Sequence, residues 1–269
     1  MVCVLSGGGA KSAAHIGAVQ ALLERGLVPG YFAGTSMGAV IAACFASGLS
    51  YEEVLSRAAS VSRRDVARLA PGVLTGPWAK SLLQREPLEE TIERLVPAER
   101  FSDLRFPLTV TAVDAESGEL VLFGAKGRAD VPLRLALYAS CALPVYYPPA
   151  LIDGRAYVDG GLRSPLPLKV VEREDADLVF AVYVGPSFSE EGPRREREPT
   201  LLAAHNNAMR IMMAAQAEAE IAGWKGGARL VLVRPPVEAQ ATFAVDRVVR
   251  YVERGYRAAV RALEDWRRA

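Results

Sequence analysis

Residues 34–38 read Gly34-Thr35-Ser36-Met37-Gly38, a G-x-S-x-G pentapeptide. A serine hydroxyl is a weak nucleophile until its turn exposes it and a neighbouring base takes its proton. The short apolar run 31–34 (YFAG) precedes the motif and the dense apolar stretch 37–47 follows, so the pentapeptide stands at a strand-to-helix turn. Such a turn pushes the serine into a strained, exposed position, and flanking glycines leave room where side chains would clash. The hydroxyl would lie at a helix N-terminus, where N–H groups and the helix dipole favour developing negative charge. The plainer alternative is that Thr35 or Ser36 only caps the helix.

Gly7-Gly8-Gly9-Ala10-Lys11 ends the apolar run Val2–Leu5 and opens a second helical pattern. Three successive glycines permit left-handed backbone and let N–H groups converge on an anion. A phosphate loop, GxxxxGK[ST], would need glycine where Leu5 and Ala10 stand. A dinucleotide fingerprint, GxGxxG from Gly7, meets Ser12 in place of its last glycine and lacks an acidic residue at the end of the second strand. Both fail. The remaining chemistry is an oxyanion hole built from Gly7, Gly8 and Gly9. A third motif, Val158-Asp159-Gly160-Gly161, is by default a turn, as Asp153-Gly154 beside it is. It nevertheless supplies a carboxylate.

Composition narrows the chemistry. The 269 residues contain two histidines, His15 and His205, so a histidine-rich metal site is excluded and a Ser–His–Asp triad has two candidate bases. His205 falls inside a helical pattern beside Asn206 and Asn207, whereas triad histidines sit on loops beyond strands. His15, one helical turn past Lys11, reads as a structural residue satisfying backbone groups near the glycine loop. Lys+Arg number 32 against 31 Asp+Glu, a net charge of +1, which gives none of the field a nucleic-acid binder needs. Apolar residues make up 51%, a globular balance. Cys3, Cys44 and Cys141 each lie among apolar neighbours without CxxC spacing, which reads as reduced core thiols in a cytoplasmic protein. No charged residue occurs from Gly26 to Tyr51, and Gly30, Gly34 and Gly38 make a GxxxGxxxG pattern. Pro29 and the glycines break that run into pieces shorter than the roughly 20 residues a membrane span requires.

The elements that must carry these residues alternate. Strands are expected at 2–5, 31–34, 107–114, 120–123, 178–184 and 229–233, and helices at 12–25, 37–47, 131–139, 200–222 and 244–267. Residues 52–95 read as helical with breaks at Ala70-Pro71-Gly72 and Gly76-Pro77, and residues 115–118 as a hairpin turn. The last helix is expected to bury Val245, Val248, Val249, Val252, Tyr256, Val260 and Leu263. Residues 187–200 (SFSEEGPRREREPT) read as a solvated loop. The alternation implies a mostly parallel sheet covered on both faces, and the chain reads as a single domain over 1–269.

Taken together, the glycine loop, the serine pentapeptide and Asp159-Gly160-Gly161 resemble the patatin-like phospholipase family. The text between the motifs follows suit: His15-Ile16-Gly17-Ala18-Val19 after the loop, and Ala139-Ser140-Cys141-Ala142-Leu143-Pro144 with Pro148-Pro149 before the aspartate. The match runs through about residues 2–170. The resemblance implies a three-layer α/β/α fold and a Ser36–Asp159 dyad without histidine. It implies an oxyanion hole at Gly7–Gly9 with the Gly8 and Gly9 N–H groups as its favoured donors, no cofactor and no metal, and lipid acyl esters as substrates; the near-neutral charge makes the expected membrane-surface contact transient and mainly apolar. Two departures stand out: Ser12 replaces the family's glycine and is expected to cap the following helix, and Lys11 replaces the commoner arginine. Two other functions compete: a nucleotide-binding regulator using the loop from Gly7 to Ser12, and a catalytically idle lipid-binding module.

Overall fold

The structure, a computed structural model, describes residues 1–73, 79, 81–186, 200–238 and 242–268. The charged stretch 187–199 and parts of the apolar stretch 69–83 lie outside these residues, and the solvated loop expected there with them. Strands β1 (Val2–Leu5), β2 (Tyr31–Thr35), β3 (Leu108–Asp114), β4 (Leu120–Gly124), β5 (Ala150–Ile152), β6 (Arg155–Asp159), β7 (Leu178–Val182) and β8 (Arg229–Val233) form one sheet. Its order is β5-β6-β3-β2-β1-β7-β8, with β4 also paired to β3. The centre, β3-β2-β1-β7-β8, is parallel, and β4, β5 and β6 join antiparallel.

Helices follow in the order α1 (Ala13–Leu23), α2 (Met37–Ala46), α3 (Tyr51–Ala59), α4 (Arg63–Val66), α5 (Glu86–Leu95), α6 (Leu133–Cys141), α7 (Leu168–Val171), α8 (Leu201–Ala222) and α9 (Val248–Arg268). Strand alternation sends Cys3, Leu5, Phe32 and Phe180 to one face of the sheet and Val4, Ala33, Val179 and Ala181 to the other. The first face packs against α1 to α6 and α9, the second against α7 and α8. The result is the expected three-layer α/β/α arrangement. None of the described helices is long and apolar enough to cross a membrane.

Three expectations are corrected. Residues 52–95 are not a helix broken only at two points: α3, α4 and α5 are three separate helices, and Leu69 bridges Leu83 between the last two. A β5–β6 hairpin, unexpected from the sequence, turns at Asp153-Gly154, both with positive φ. In α9, Val249 is 71% exposed, and the buried stripe runs through Val248, Tyr251, Val252, Gly255, Ala258, Ala259 and Leu263. The reason is close helix contact. A Cβ on Gly17 of α1 would stand 1.9 Å from the Val252 carbonyl oxygen, and one on Gly255 would stand 1.8 Å from that of Ala14. Gly17 and Gly255 leave the room this close approach requires.

Candidate active site

Parallel register brings the motifs to one edge. Leu5 of β1 pairs with Gly34 of β2 and with Val182 of β7, so the glycine loop and Ser36 leave the sheet side by side at the strands' carboxyl ends. That edge is where open α/β sheets form their ligand crevices. Asp159 arrives from the antiparallel side: Thr35 pairs with Thr111 on β3, and the next β3 residue, Ala112, pairs with Asp159 on β6. Two strand spacings thus separate the serine's strand from the aspartate's.

Ser36 has φ 54° and ψ −136° and joins β2 directly to α2. A non-glycine residue in this region is strained and persists only where its surroundings enforce it. They do so here. A Cβ on Gly34 would lie 2.6 Å from Ala39 Cα, and one on Gly38 would lie 2.2 Å from the Ser6 carbonyl oxygen. Both flanking glycines are therefore required by the close approach of α2 to the strand ends. The Ser36 N–H donates to Ser140 Oγ at 2.8 Å, which clamps the turn from α6. The Ser36 side chain makes no cap to its helix. Its Oγ instead donates to Asp159 Oδ2 at 2.7 Å.

Asp159 is 4% exposed, and its second oxygen, Oδ1, accepts the Gly161 N–H at 2.7 Å. Burial pushes its carboxyl up to about 6, opposed by the hydrogen bonds from Gly161 and Ser36. A carboxylate held this way is a stronger base than an exposed one while still ionised at neutral pH.

The glycine loop divides its labour. Gly7, expected among the anion donors, has its N–H bonded to the Pro165 carbonyl at 3.0 Å, so it anchors the loop. Ala10 is likewise bonded to the Thr242 carbonyl at 2.8 Å. The N–H groups of Gly8 and Gly9 carry no hydrogen bond among the described residues. Gly9 has φ +58°, and a Cβ there would stand 2.5 Å from the Thr242 carbonyl oxygen, so glycine is needed for both conformation and space. Ser12 does not cap α1: it lies in helical conformation within a 3₁₀ turn, and its buried hydroxyl has no partner among the described residues. A helical φ/ψ at that position keeps its side chain from reaching the next N–H groups.

The histidines stay apart from this chemistry. His15 is fully buried and its Nε2 meets the Ser6 carbonyl at 2.8 Å, under the loop; burial pushes the ring down to about 4. His205 sits on α8 at the rim of the cavity and makes no hydrogen bond to Ser36 or Asp159. Cys141 faces the same cavity, but burial and the nearby Asp159 hold its thiol well above the usual range, so it stays protonated. Sequence reasoning missed Ser140 as a clamp. It was visible only as one letter of a resembling segment, because its partner lies 104 residues away.

Ser36, Asp159, Gly8 and Gly9 open into one cavity of about 680 Å³. Its inner wall is apolar, with Met37, Ile41, Val66, Leu88, Leu95 and Tyr147 drawn from α2, α4, α5 and the segment after α6. The arrangement offers a serine hydroxyl bonded to a buried carboxylate, two unengaged N–H donors and an apolar chamber.

Comparison with known proteins gives the family. A family model described as patatin-like phospholipase matches residues 3–171. An uncharacterised NTE family protein of Mycobacterium tuberculosis is 36% identical over 205 residues, covering 76% of this chain and 54% of that protein. Human patatin-like phospholipase domain-containing protein 6 is 30% identical over 185 residues, 68% of this chain but 13% of that protein. The chain thus spans about half the length of the mycobacterial relative and a small part of the human one. Among solved structures, VipD from Legionella pneumophila superposes with a TM-score of 0.52 at 16% identity, over 98% of this chain and 66% of that one. ExoU from Pseudomonas aeruginosa, in its complex with SpcU, gives 0.51 at 18% identity, over 100% and 52%. These two speak for the fold. With the family model spanning all three motifs and the mycobacterial relative extending past them, the chain belongs to the patatin-like phospholipase family.

Proposed function

We propose that the chain is a serine acyl hydrolase that cleaves carboxylic esters of lipids, phospholipids or glycerides, through an acyl-enzyme on Ser36. The observation that carries this reading is the 2.7 Å hydrogen bond from Ser36 Oγ to Asp159 Oδ2. Asp159 accepts the Ser36 proton as Oγ attacks the ester carbonyl, then returns it to the departing alcohol oxygen. Water attacks the acyl-enzyme with Asp159 again as base, releasing the fatty acid and restoring Ser36. Gly8 and Gly9 N–H groups receive the negative charge of each tetrahedral intermediate; one such donor is typically worth on the order of 10²–10³ in rate. The acyl chain lies along the apolar wall of the cavity.

Ester substrates reach the site from a lipid surface. Leu201, Ile211 and Met212 are exposed on α8, which also lines the cavity at Met209 and Met213. A nucleotide-binding reading of the loop from Gly7 to Ser12 finds less support, since the N–H groups of Gly7 and Ala10 are already bonded to protein carbonyls. Labelling by a fluorophosphonate decides: the parent should be modified at Ser36 and should hydrolyse p-nitrophenyl esters, and Ser36→Ala should do neither. Ester hydrolysis surviving in both Ser36→Ala and Asp159→Ala would reject the dyad. A thermal shift with ATP and magnesium, without esterase activity, would favour the nucleotide reading.

A further inference from the structure

One short segment, residues 159–165, touches every part of the site. Gly161 N–H fixes Asp159 Oδ1 at 2.7 Å. The Ser164 carbonyl accepts the hydroxyl of Thr35, the residue before Ser36, at 2.8 Å. That leaves Thr111 as the donor in the 2.7 Å contact between the Thr35 and Thr111 hydroxyls. The Pro165 carbonyl accepts the Gly7 N–H. A 3₁₀ turn at Gly160–Leu162 ties these points together, with Arg163 and Ser164 N–H groups both donating to the Gly160 carbonyl. Any displacement of the segment would move the base, the nucleophile's strand end and the glycine loop relative to one another.

Helix α8 holds this segment from below. Ser164 Oγ donates to Glu220 Oε1 at 2.8 Å, and Gln216, one turn earlier, donates from Nε2 to the Leu162 carbonyl at 2.9 Å. Glu220 is 6% exposed, and its Oε2 has no partner among the described residues. Burial pushes its carboxyl up to about 7, opposed by Ser164, by the charge of Lys169 and by the Leu166 N–H. Burying a carboxyl with an unmatched oxygen is costly, and an aliphatic side chain would pack the same place more cheaply. Packing alone therefore does not account for glutamate here.

We propose that Glu220, through Ser164, is a positioning residue for the Ser36–Asp159 site: it pins the 159–165 segment to α8 and so sets the spacing of base, nucleophile and glycine loop. The inference rests on the acyl-hydrolase reading of that site. Glu220 touches no reacting atom, so its loss should lower kcat and leave KM nearly unchanged.

The test compares Glu220→Ala, Glu220→Gln and Ser164→Ala with the parent on a soluble short-chain p-nitrophenyl ester, with reactive sites counted by fluorophosphonate titration. Per-site kcat should fall on the order of 10²-fold in Glu220→Ala, the scale of a small misplacement at a reacting centre. KM should stay within about threefold. Ser164→Ala should behave alike, and Glu220→Gln, which can still bond the Ser164 hydroxyl, should recover most of the rate. If Glu220→Ala does not fold, Ser164→Ala decides by the same split. Unchanged per-site kcat in the alanine variants overturns the proposal. So does a loss of countable sites with the remainder fully active, because that marks Glu220 as a packing residue. Hydrolysis persisting in Ser36→Ala would instead overturn the reading of the site itself.

Discussion

In the proposed mechanism Asp159 must be ionised to take a proton from Ser36, and its burial sets the pH at which it is. With its carboxyl raised to about 6, kcat/KM for ester hydrolysis should fall on the acid side along a limb with an apparent pKa near 6. A pH–rate profile with its acid limb near 4 would show that Asp159 is solvated in the working enzyme. The same burial costs stability. Asp159 holds its proton to higher pH in the folded protein than in the unfolded chain, so the fold loses stability as pH rises from 3.8 to about 6 and carries the whole cost above that. A rise of this size corresponds to about 3 kcal/mol at most. Asp159→Asn keeps the shape and removes the charge. It should unfold later than the parent at about pH 8 by roughly 1–3 kcal/mol, with the gain vanishing below about pH 4, while hydrolysis is lost. Denaturant titration at the two pH values checks both signs.

At the scale of elements, the site depends on how closely helices approach their neighbours. Helix α2 reaches the strand ends because Gly34 and Gly38 have no side chain, and that approach enforces the strained backbone of Ser36. Helix α9 approaches α1 by the same means at Gly17 and Gly255. Gly255→Ala would push a methyl group into the Ala14 carbonyl and force the helices apart. Overpacking of this kind costs about 1–3 kcal/mol, so the urea midpoint should drop with the slope unchanged. A midpoint equal to the parent's would mean that α9 shifts freely, and that the seam does not hold the first helical layer.

For the whole molecule, the family model ends at residue 171, but the packing does not. Strand β1 lies between β2 and β7, α1 lies against α9, and Val184 and Thr242 wall the glycine loop. We therefore expect one cooperative unfolding transition for residues 1–269. A fragment of residues 1–171 should show no cooperative transition and no esterase activity. A stable, active fragment would split the chain into two domains. The charge balance makes a further prediction. With a net charge of +1, contact with a lipid surface has little long-range attraction to draw on. Co-sedimentation with phosphatidylcholine vesicles should change by less than about threefold when anionic lipid is added or salt is raised. A strong dependence on anionic lipid would place the contact on a basic patch, away from Leu201, Ile211 and Met212.

The central strands, the helices α1, α2, α8 and α9, the strand-to-helix turn at Ser36 and the pairing of Ser36 with Asp159 were legible in the sequence. Each is written locally: apolar periodicity, glycine where a turn is tight, and ordered motifs that resemble a known family. The β5–β6 hairpin was not, because three- and five-residue strands carry too little periodicity. The outward turn of Val249 was not, because the burial of a helical position depends on which neighbour it meets. The sequence singled out Gly8 and Gly9 in the glycine loop, but it could not show that Gly7 anchors the loop, since Pro165 is far along the chain. By itself the sequence determined which groups could do chemistry. Only the tertiary structure decided how far burial raises Asp159, which N–H groups are left unbonded in the glycine loop, and that Ser140 bonds Ser36 while Glu220 bonds Ser164. Burial and hydrogen-bond commitment belong to the packed molecule, and no residue carries them alone.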